Sequence, residues 1–228
     1  MRRLLIAVVV LGLIAVAGDR VAENIAEGQI ASAVRDNQHL PSEPSVEFAG
    51  FPFLTQVLGN DVQEVKLTMP AVDAEAGDTE RVRVKDVSAT FYDVSTSHQF
   101  RQATAKRMTG SALIPFGSVS ALGPFTASYG GTSPDGVGLV TLEPDVSALD
   151  VSFDVGVSIE ARAFSFVGRD GTTGVLPVPD NLRPLLEPLL LPSHDLYGLP
   201  PSFTIESLQV TKQGITLKLS GRDVELAR

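Results

Sequence analysis

Between Pro44 and Pro70 the chain reads PSVEFAGFPFLTQVLGNDVQEVKLTMP, and this stretch restricts the possible folds more than any other. A short alternating run leads into Gly50-Phe51-Pro52-Phe53-Leu54, and a second run follows in which Val65, Leu67 and Met69 share one face. Apolar residues at every second position predict half-buried strands, because successive side chains on a strand point to opposite sides. Pro52 has no N–H to give a sheet neighbour, so the aromatic turn between the runs is not the middle of a sheet. Phe51 and Phe53 both call for a dry environment. The segment is therefore expected to be strand, apolar plug, strand, with the plug capping one end of a hydrophobic interior.

Upstream, Ala22, Ile25, Ala26, Ile30, Ala33 and Val34 fall on one helical stripe, with Glu23, Asn24, Glu27 and Arg35 opposite. This predicts an amphipathic helix from Asp19 to Asp36, ended by Pro41 and Pro44. Its stripe is half alanine, which lets a sheet approach closely. Gly28 is its weak point, at about 1 kcal/mol relative to alanine. Such a helix packs against the sheet, and it can also line a lipid cavity or rest on a bilayer.

Downstream, Glu80 to Val94 alternates but changes phase: Val82 and Val84 are even, while Val87, Ala89 and Phe91 are odd. One extra residue near Lys85-Asp86 restores a continuous face, as a β-bulge does. Met108, Gly110, Ala112 and Ile114 share one side of the next strand, and Pro115 stops it before a short helix, Ser118–Leu122, expected to be capped by serine. Phe125–Tyr129 and Val137–Leu142 flank a glycine-rich loop and predict a hairpin. The run from Asp150 to Val167 reads as one very long strand, roughly 55 to 60 Å, which implies an elongated domain with a strongly curved sheet. Asp180 to Leu191 is a second helical candidate, leucine-rich but interrupted by Pro184 and Pro188, and is either a core helix or the wall of an acyl-chain cavity. Phe203–Val210 and Ile215–Gly221 then form a hairpin around Gln213-Gly214 with Ile215, Leu217 and Leu219 inward.

The beginning of the chain supplies an address. Arg2 and Arg3 precede the run Leu4–Ala17, which closes on Ala15-Val16-Ala17, the pattern of a secretory signal. At about 1.5 Å per residue this run reaches only about 21 Å, short of a hydrocarbon core of ~30 Å. Cleavage after Ala17 is the favoured reading and a retained membrane anchor the other. The remainder, 18–228, is expected to be a single exported domain at the outer face of the membrane, in a periplasm-like space, or secreted. The chain has no cysteine, so neither a lipidated thiol nor a disulfide framework supports it. A net charge of −9 argues against nucleic acid as a partner.

The GFPFLTQ run, taken with the ending LPPSFTIESLQVTKQGITLKLSGRDVEL, resembles the LmeA-like phospholipid-binding family of actinobacterial envelope proteins. The likeness covers roughly residues 19 to 228. It implies a fold similar to the tubular lipid-binding (TULIP-like) domains and a part in the transport or maturation of envelope lipids or lipoglycans.

No constellation for catalysis accompanies these features. His39, His98 and His194 lie in predicted loops or element ends, without metal-ligand spacing to another His, Cys or carboxylate. Asp150 and Asp154 occupy the polar side of an alternating pattern, which reads as a solvated face. The expectation is an α+β domain: a long, curved antiparallel sheet wrapped around an N-terminal amphipathic helix. It is a non-enzymatic, monomeric binder of phospholipid or a related acyl lipid at a membrane surface, with no cofactor and no metal. Moving a dozen methylenes from water into a dry cavity releases on the order of 10 kcal/mol. The candidate lipid-contacting residues are Ile25, Ile30, Phe51, Phe53, Leu67, Met69, Phe91, Phe153, Val155, Ile159, Leu186 and Leu189. Arg101, Lys106 and Arg107 are the candidates for headgroup phosphate, and Arg81, Arg83 and Lys85 form a second basic group. The competing readings are an envelope interaction module with a solid core, and a hydrolase or transferase acting on glycolipid through a sequestered nucleophile or acid pair.

Overall fold

The computed structural model describes residues 2–38, 40–76, 80–97, 102–123, 125–134, 136–145, 153–160, 163–168, 194–195 and 202–227. In chain order these form α1 (Arg2–Gln38), β1 (Ser45–Ala49), α2 (Phe53–Leu58), β2 (Asp61–Ala76), β3 (Glu80–Ser97), β4 (Gln102–Pro115), α3 (Phe116–Ser120), β5 (Phe125–Thr132), β6 (Gly138–Pro144), β7 (Phe153–Glu160), β8 (Ala163–Gly168), β9 (His194–Asp195), β10 (Phe203–Thr211) and β11 (Gly214–Ala227). The class is α+β as expected, with an N-terminal helix and antiparallel sheets. One sheet has the order β1-β2-β3-β4-β11-β10 and the other β5-β6-β7-β8-β9. The chain divides into two compact units, one of Met1–Met69, Ser88–Thr109 and Gly221–Arg228, the other of Pro70–Val87 and Gly110–Ser220.

The second unit holds a dense apolar core. Val82 and Val84 of β3, Ala112 and Ile114 of β4, Phe125 and Ala127 of β5, Val140 and Leu142 of β6, and Ile215 and Leu217 of β11 form one cluster with Val119 and Leu122. Val119, Val140, Leu142 and Ile215 are fully buried. Each such aliphatic side chain contributes roughly 1.5–3 kcal/mol by leaving water, so this cluster is the main apolar core among the described residues of its unit. The period-two pattern read for β4 and β11 matches these inward positions, and the expected β5–β6 hairpin supplies others. The expected hairpin around Gln213-Gly214 is present: Thr211 Oγ1 donates to the Gly214 carbonyl at 3.0 Å and accepts from Gln213 N at 3.3 Å. Gly214 has φ +147°, and a Cβ there would collide with the carbonyl of Ile114, so the start of β11 needs glycine.

The phase change expected in β3 is also there. Asp86 has φ +49°, a left-handed residue placed where burial passes from Val82 and Val84 to Val87. Aspartate tolerates that conformation because its short polar side chain bonds locally, and such a residue re-aims a strand. The same device recurs at Asp93, one residue before buried Val94, and at Asp223, one residue before buried Val224.

Three local expectations are corrected. The run from Asp150 to Val167 is not one strand: β7 and β8 pair antiparallel, with Val157 opposite Phe166, Ile159 opposite Phe164 and Glu160 opposite Ala163. Phe153, Val155, Val157 and Ile159 are odd-numbered whereas Phe164 and Phe166 are even-numbered, and that change of phase separates the two strands. α3 begins at Phe116 with Pro115 at its N-cap and no side-chain cap; Ser118 Oγ instead donates to the Arg83 carbonyl at 2.7 Å. Asp154 is half-buried and accepts a bond from Thr141 Oγ1 at 2.6 Å rather than lying on a solvated face.

Candidate lipid-binding surface

Within the first unit, the opening segment folds as a strand, a cis Phe51-Pro52 turn, the short helix α2, and a second strand. β1 pairs antiparallel with β2, placing Val46 opposite Leu67 and Phe48 opposite Val65. Directly opposed residues share a face, so Val46, Phe48, Val65, Leu67 and Met69 line one side, and Glu47 and Lys66 meet at 3.7 Å on the other. Val46 is buried, whereas Phe48, Val65, Leu67 and Met69 are only half-buried. Phe53 packs on Phe48 with ring centroids 4.9 Å apart.

α1 is a single helix from Arg2 to Gln38, joining the apolar run Leu4–Ala17 to the amphipathic segment without a break. Among the described residues no helix is long and apolar enough to cross a membrane. The face that α1 turns toward β1 and α2 differs from the stripe expected. Asp19, Glu23 and Ala31 are buried, while Ile25 is 56% and Ile30 40% exposed. Hydrogen bonding explains the rotation. Asp19 accepts from the backbone N–H of Phe53 at 2.9 Å (Oδ2) and from that of Leu54 at 2.7 Å (Oδ1). These are the first two helical residues of α2, whose N-cap position is Pro52 and carries no side-chain cap. Asp19 thus satisfies, from another helix, donors that a serine or aspartate cap would otherwise take. Glu27 Oε1 accepts from Phe48 N at 3.0 Å in the same way. Glu23 pairs with Arg20, whose guanidinium lies 5.3 Å from the centroid of the Phe51 ring. Residues 19, 23 and 27 are one turn apart, so one edge of the helix carries all three carboxylates.

The candidate residues are therefore distributed unevenly. Phe53 is buried, as a plug requires, but Phe51 is 53% exposed instead of dry. Leu67, Met69 and Phe91 are half-buried, on β2 and β3. Phe153, Val155 and Ile159 belong to β7, which the structure describes at the level of the backbone. Leu186 and Leu189, and the second helical candidate Asp180–Leu191 as a whole, lie outside the described residues, as does Arg101. Lys106 and Arg107 are exposed on β4, and the Arg107 guanidinium sits 4.5 Å from the centre of the Tyr92 ring. Arg83 is occupied by Asp73, through Nε to Oδ1 at 2.9 Å and Nη2 to Oδ2 at 3.3 Å. That hydrogen bond, and secondarily the carboxylate charge, raises the guanidinium pKa above its ordinary value. His194 falls on the short strand β9, while His39 and His98 are outside the described residues. Among the described residues no group of three or more His, Cys, Asp or Glu is placed to hold a metal ion.

Sequence reasoning missed Asp19, Glu23 and Glu27, because the alternation of polar and apolar types places carboxylates on the solvent side. The usable signal was the 19/23/27 spacing beside a turn whose proline cannot cap the helix that follows it. It also missed Phe48, Val62, Val94 and Val224 as apolar members of this unit.

No curated protein and no solved structure matches this chain significantly. A family model described as LmeA-like phospholipid-binding matches residues 17–220, from the end of the N-terminal apolar run into β11. That span takes in the α1–α2 corner, the half-covered β1–β2 face and the core of the second unit, and the chain belongs to the LmeA-like phospholipid-binding family.

Proposed function

We propose that this protein holds phospholipid, or a closely related acyl lipid, by covering its tails with apolar strand faces, and that it does so in the cell envelope without catalysing a reaction on the lipid. The observation that carries this reading is the β1–β2 face: Phe48, Val65, Leu67 and Met69 present contiguous hydrocarbon that is only half covered among the described residues. The core of the second unit, with its fully buried aliphatics, is the contrast. A hydrocarbon tail laid on such a face is driven there by about 25 cal/mol per Å² of apolar surface withdrawn from water, and it needs no charged partner. Membership of a phospholipid-binding family supports the same class of ligand. The N-terminal run, with its basic start and Ala-x-Ala end, supports export, and a role in moving or maturing envelope lipid is consistent with that location.

The test is organic extraction and native mass spectrometry of the purified full chain. Phospholipid is expected to co-purify, and Leu67→Asp is expected to reduce the retained lipid at least about tenfold, since a charge on an apolar contact face costs well over 1.4 kcal/mol. A folded chain that carries no lipid and takes up none from vesicles would overturn the reading in favour of a solid interaction module.

A further inference from the structure

α2 buries Phe53 but leaves both of its leucines in water. Leu58 is 82% exposed and Leu54 41%, and Phe51, on the turn leading into the helix, is 53% exposed. On the side of α1 away from Asp19 and Glu23, Val21 and Ile25 are 57% and 56% exposed as well. Monomeric proteins seldom present such a cluster without a use for it. The position of the cluster along α1 identifies what covers it. The two hydrogen bonds from Asp19 fix the start of α2 two residues beyond Ala17, where the apolar run ends. Two residues of helix are only about 3 Å of rise. Within the run, Leu11, Leu13 and Ile14 are each more than 60% exposed and point in different directions around the helix. A helix apolar around its circumference is covered by hydrocarbon, from a protein interior or from a bilayer.

For the chain that retains Leu4–Ala17, the geometry points to a bilayer-docking surface at the α1–α2 corner. In it Phe51, Leu54 and Leu58 enter the boundary between headgroups and acyl chains of a phospholipid membrane, level with the base of the apolar run. Arg20, 53% exposed at its side chain and stacked by Phe51, lies at the height of the phosphates, sharing its charge with Glu23. With a net charge of −9, docking draws on apolar burial and not on long-range attraction to anionic lipid. Interfacial elements of this kind sit roughly 5–10 Å deep. This surface uses different residues from the β1–β2 face proposed to cover lipid tails, which α2 abuts through Phe53 on Phe48.

The chain has no tryptophan, so Leu58→Trp installs a single indole at the most exposed large apolar side chain of α2. The full-length variant is mixed with phosphatidylcholine vesicles, with and without phosphatidylglycerol. Its emission is expected to move to shorter wavelength on both compositions, iodide quenching to be largely lost, and phosphatidylcholine brominated on its acyl chains to quench it strongly. Leu54→Trp is expected to respond in the same way. If the chain sediments with vesicles while the indole at position 58 keeps its aqueous emission and full iodide quenching, the run alone is responsible and the docking surface is refuted. Failure to associate with vesicles refutes it as well. A shift seen only with phosphatidylglycerol would refute the apolar basis of docking. These outcomes are separate from lipid extraction, which reports on the enclosed lipid and is blind to position 58.

Discussion

The core of the second unit and the α1–α2 corner of the first solve the burial problem in opposite ways. In the core every fully buried large side chain is aliphatic, drawn from β6, β11 and α3. At the corner the helix turns Asp19 and Glu23 inward and leaves Val21, Ile25 and Ile30 outside. The core minimises apolar surface. The corner spends its buried positions on backbone donors that α2 and β1 cannot satisfy themselves, and the apolar residues of α1 and α2 remain available for something outside the chain. A carboxylate is worth burying only where charge-assisted hydrogen bonds replace its water, and Asp19 receives two.

The largest expected effect lies in the core. Leu142→Ala removes a fully buried side chain from the centre of the cluster, and large-to-small changes at such sites cost about 3–4 kcal/mol, transfer and cavity together. Urea unfolding is expected to show a lower midpoint with an unchanged slope. A loss below about 1 kcal/mol would mean that the site collapses around the gap, and the core would not be the tightly packed half of the comparison.

Next comes the corner. Asp19→Ala strands the N–H groups of Phe53 and Leu54, and bonds to a charged acceptor contribute about 1.5–3 kcal/mol each. The consequence is local: amide hydrogen exchange at Phe53 and Leu54 is expected to accelerate on the order of ten- to a hundredfold, with a smaller change across the rest of the chain. Asp19→Asn keeps one acceptor oxygen and is expected to fall between. Unchanged exchange at both amides in the alanine variant would show that α2 is held by Phe53 burial alone.

What the sequence disclosed and what it hid follow the same division. The β10–β11 hairpin, the inward faces of β4 and β11 and the break at Asp86 were legible, since each rests on local chemistry: a glycine that must take positive φ, a period of two, a change of phase. The division into β7 and β8 was hidden because the sequence between them carries no Gly, Pro, Asn or Asp, the usual break signals; the change of apolar phase between Ile159 and Phe164 was its mark. The same kind of switch in β3 reads correctly as a bulge, so phase alone does not separate a bulge within one strand from a break between two. The rotation of α1 was hidden for a different reason. Its cause is backbone N–H groups at Phe48, Phe53 and Leu54, and main-chain donors leave no trace in a hydropathy pattern. The candidate site was legible to the extent that it follows strand alternation, as at Leu67 and Met69, and misplaced where it followed the helix, as at Ile25 and Ile30.

The smallest effect is expected where the corner's chemistry is repeated in solvent. Arg83 and Asp73 form two N–H to carboxylate bonds, as many as Asp19 makes, yet both side chains are at least 40% exposed. Water competes for the same donors and acceptors, and salt screens what attraction is left. Arg83→Gln is therefore expected to leave the urea midpoint unchanged, and to do so equally at low and at high salt, while the Ser118 bond to the Arg83 carbonyl survives because it is made to the main chain. A clear loss of stability that salt abolishes would put the exposed pair on a par with the buried carboxylate. Burial would then not be what gives Asp19 its hold on α2.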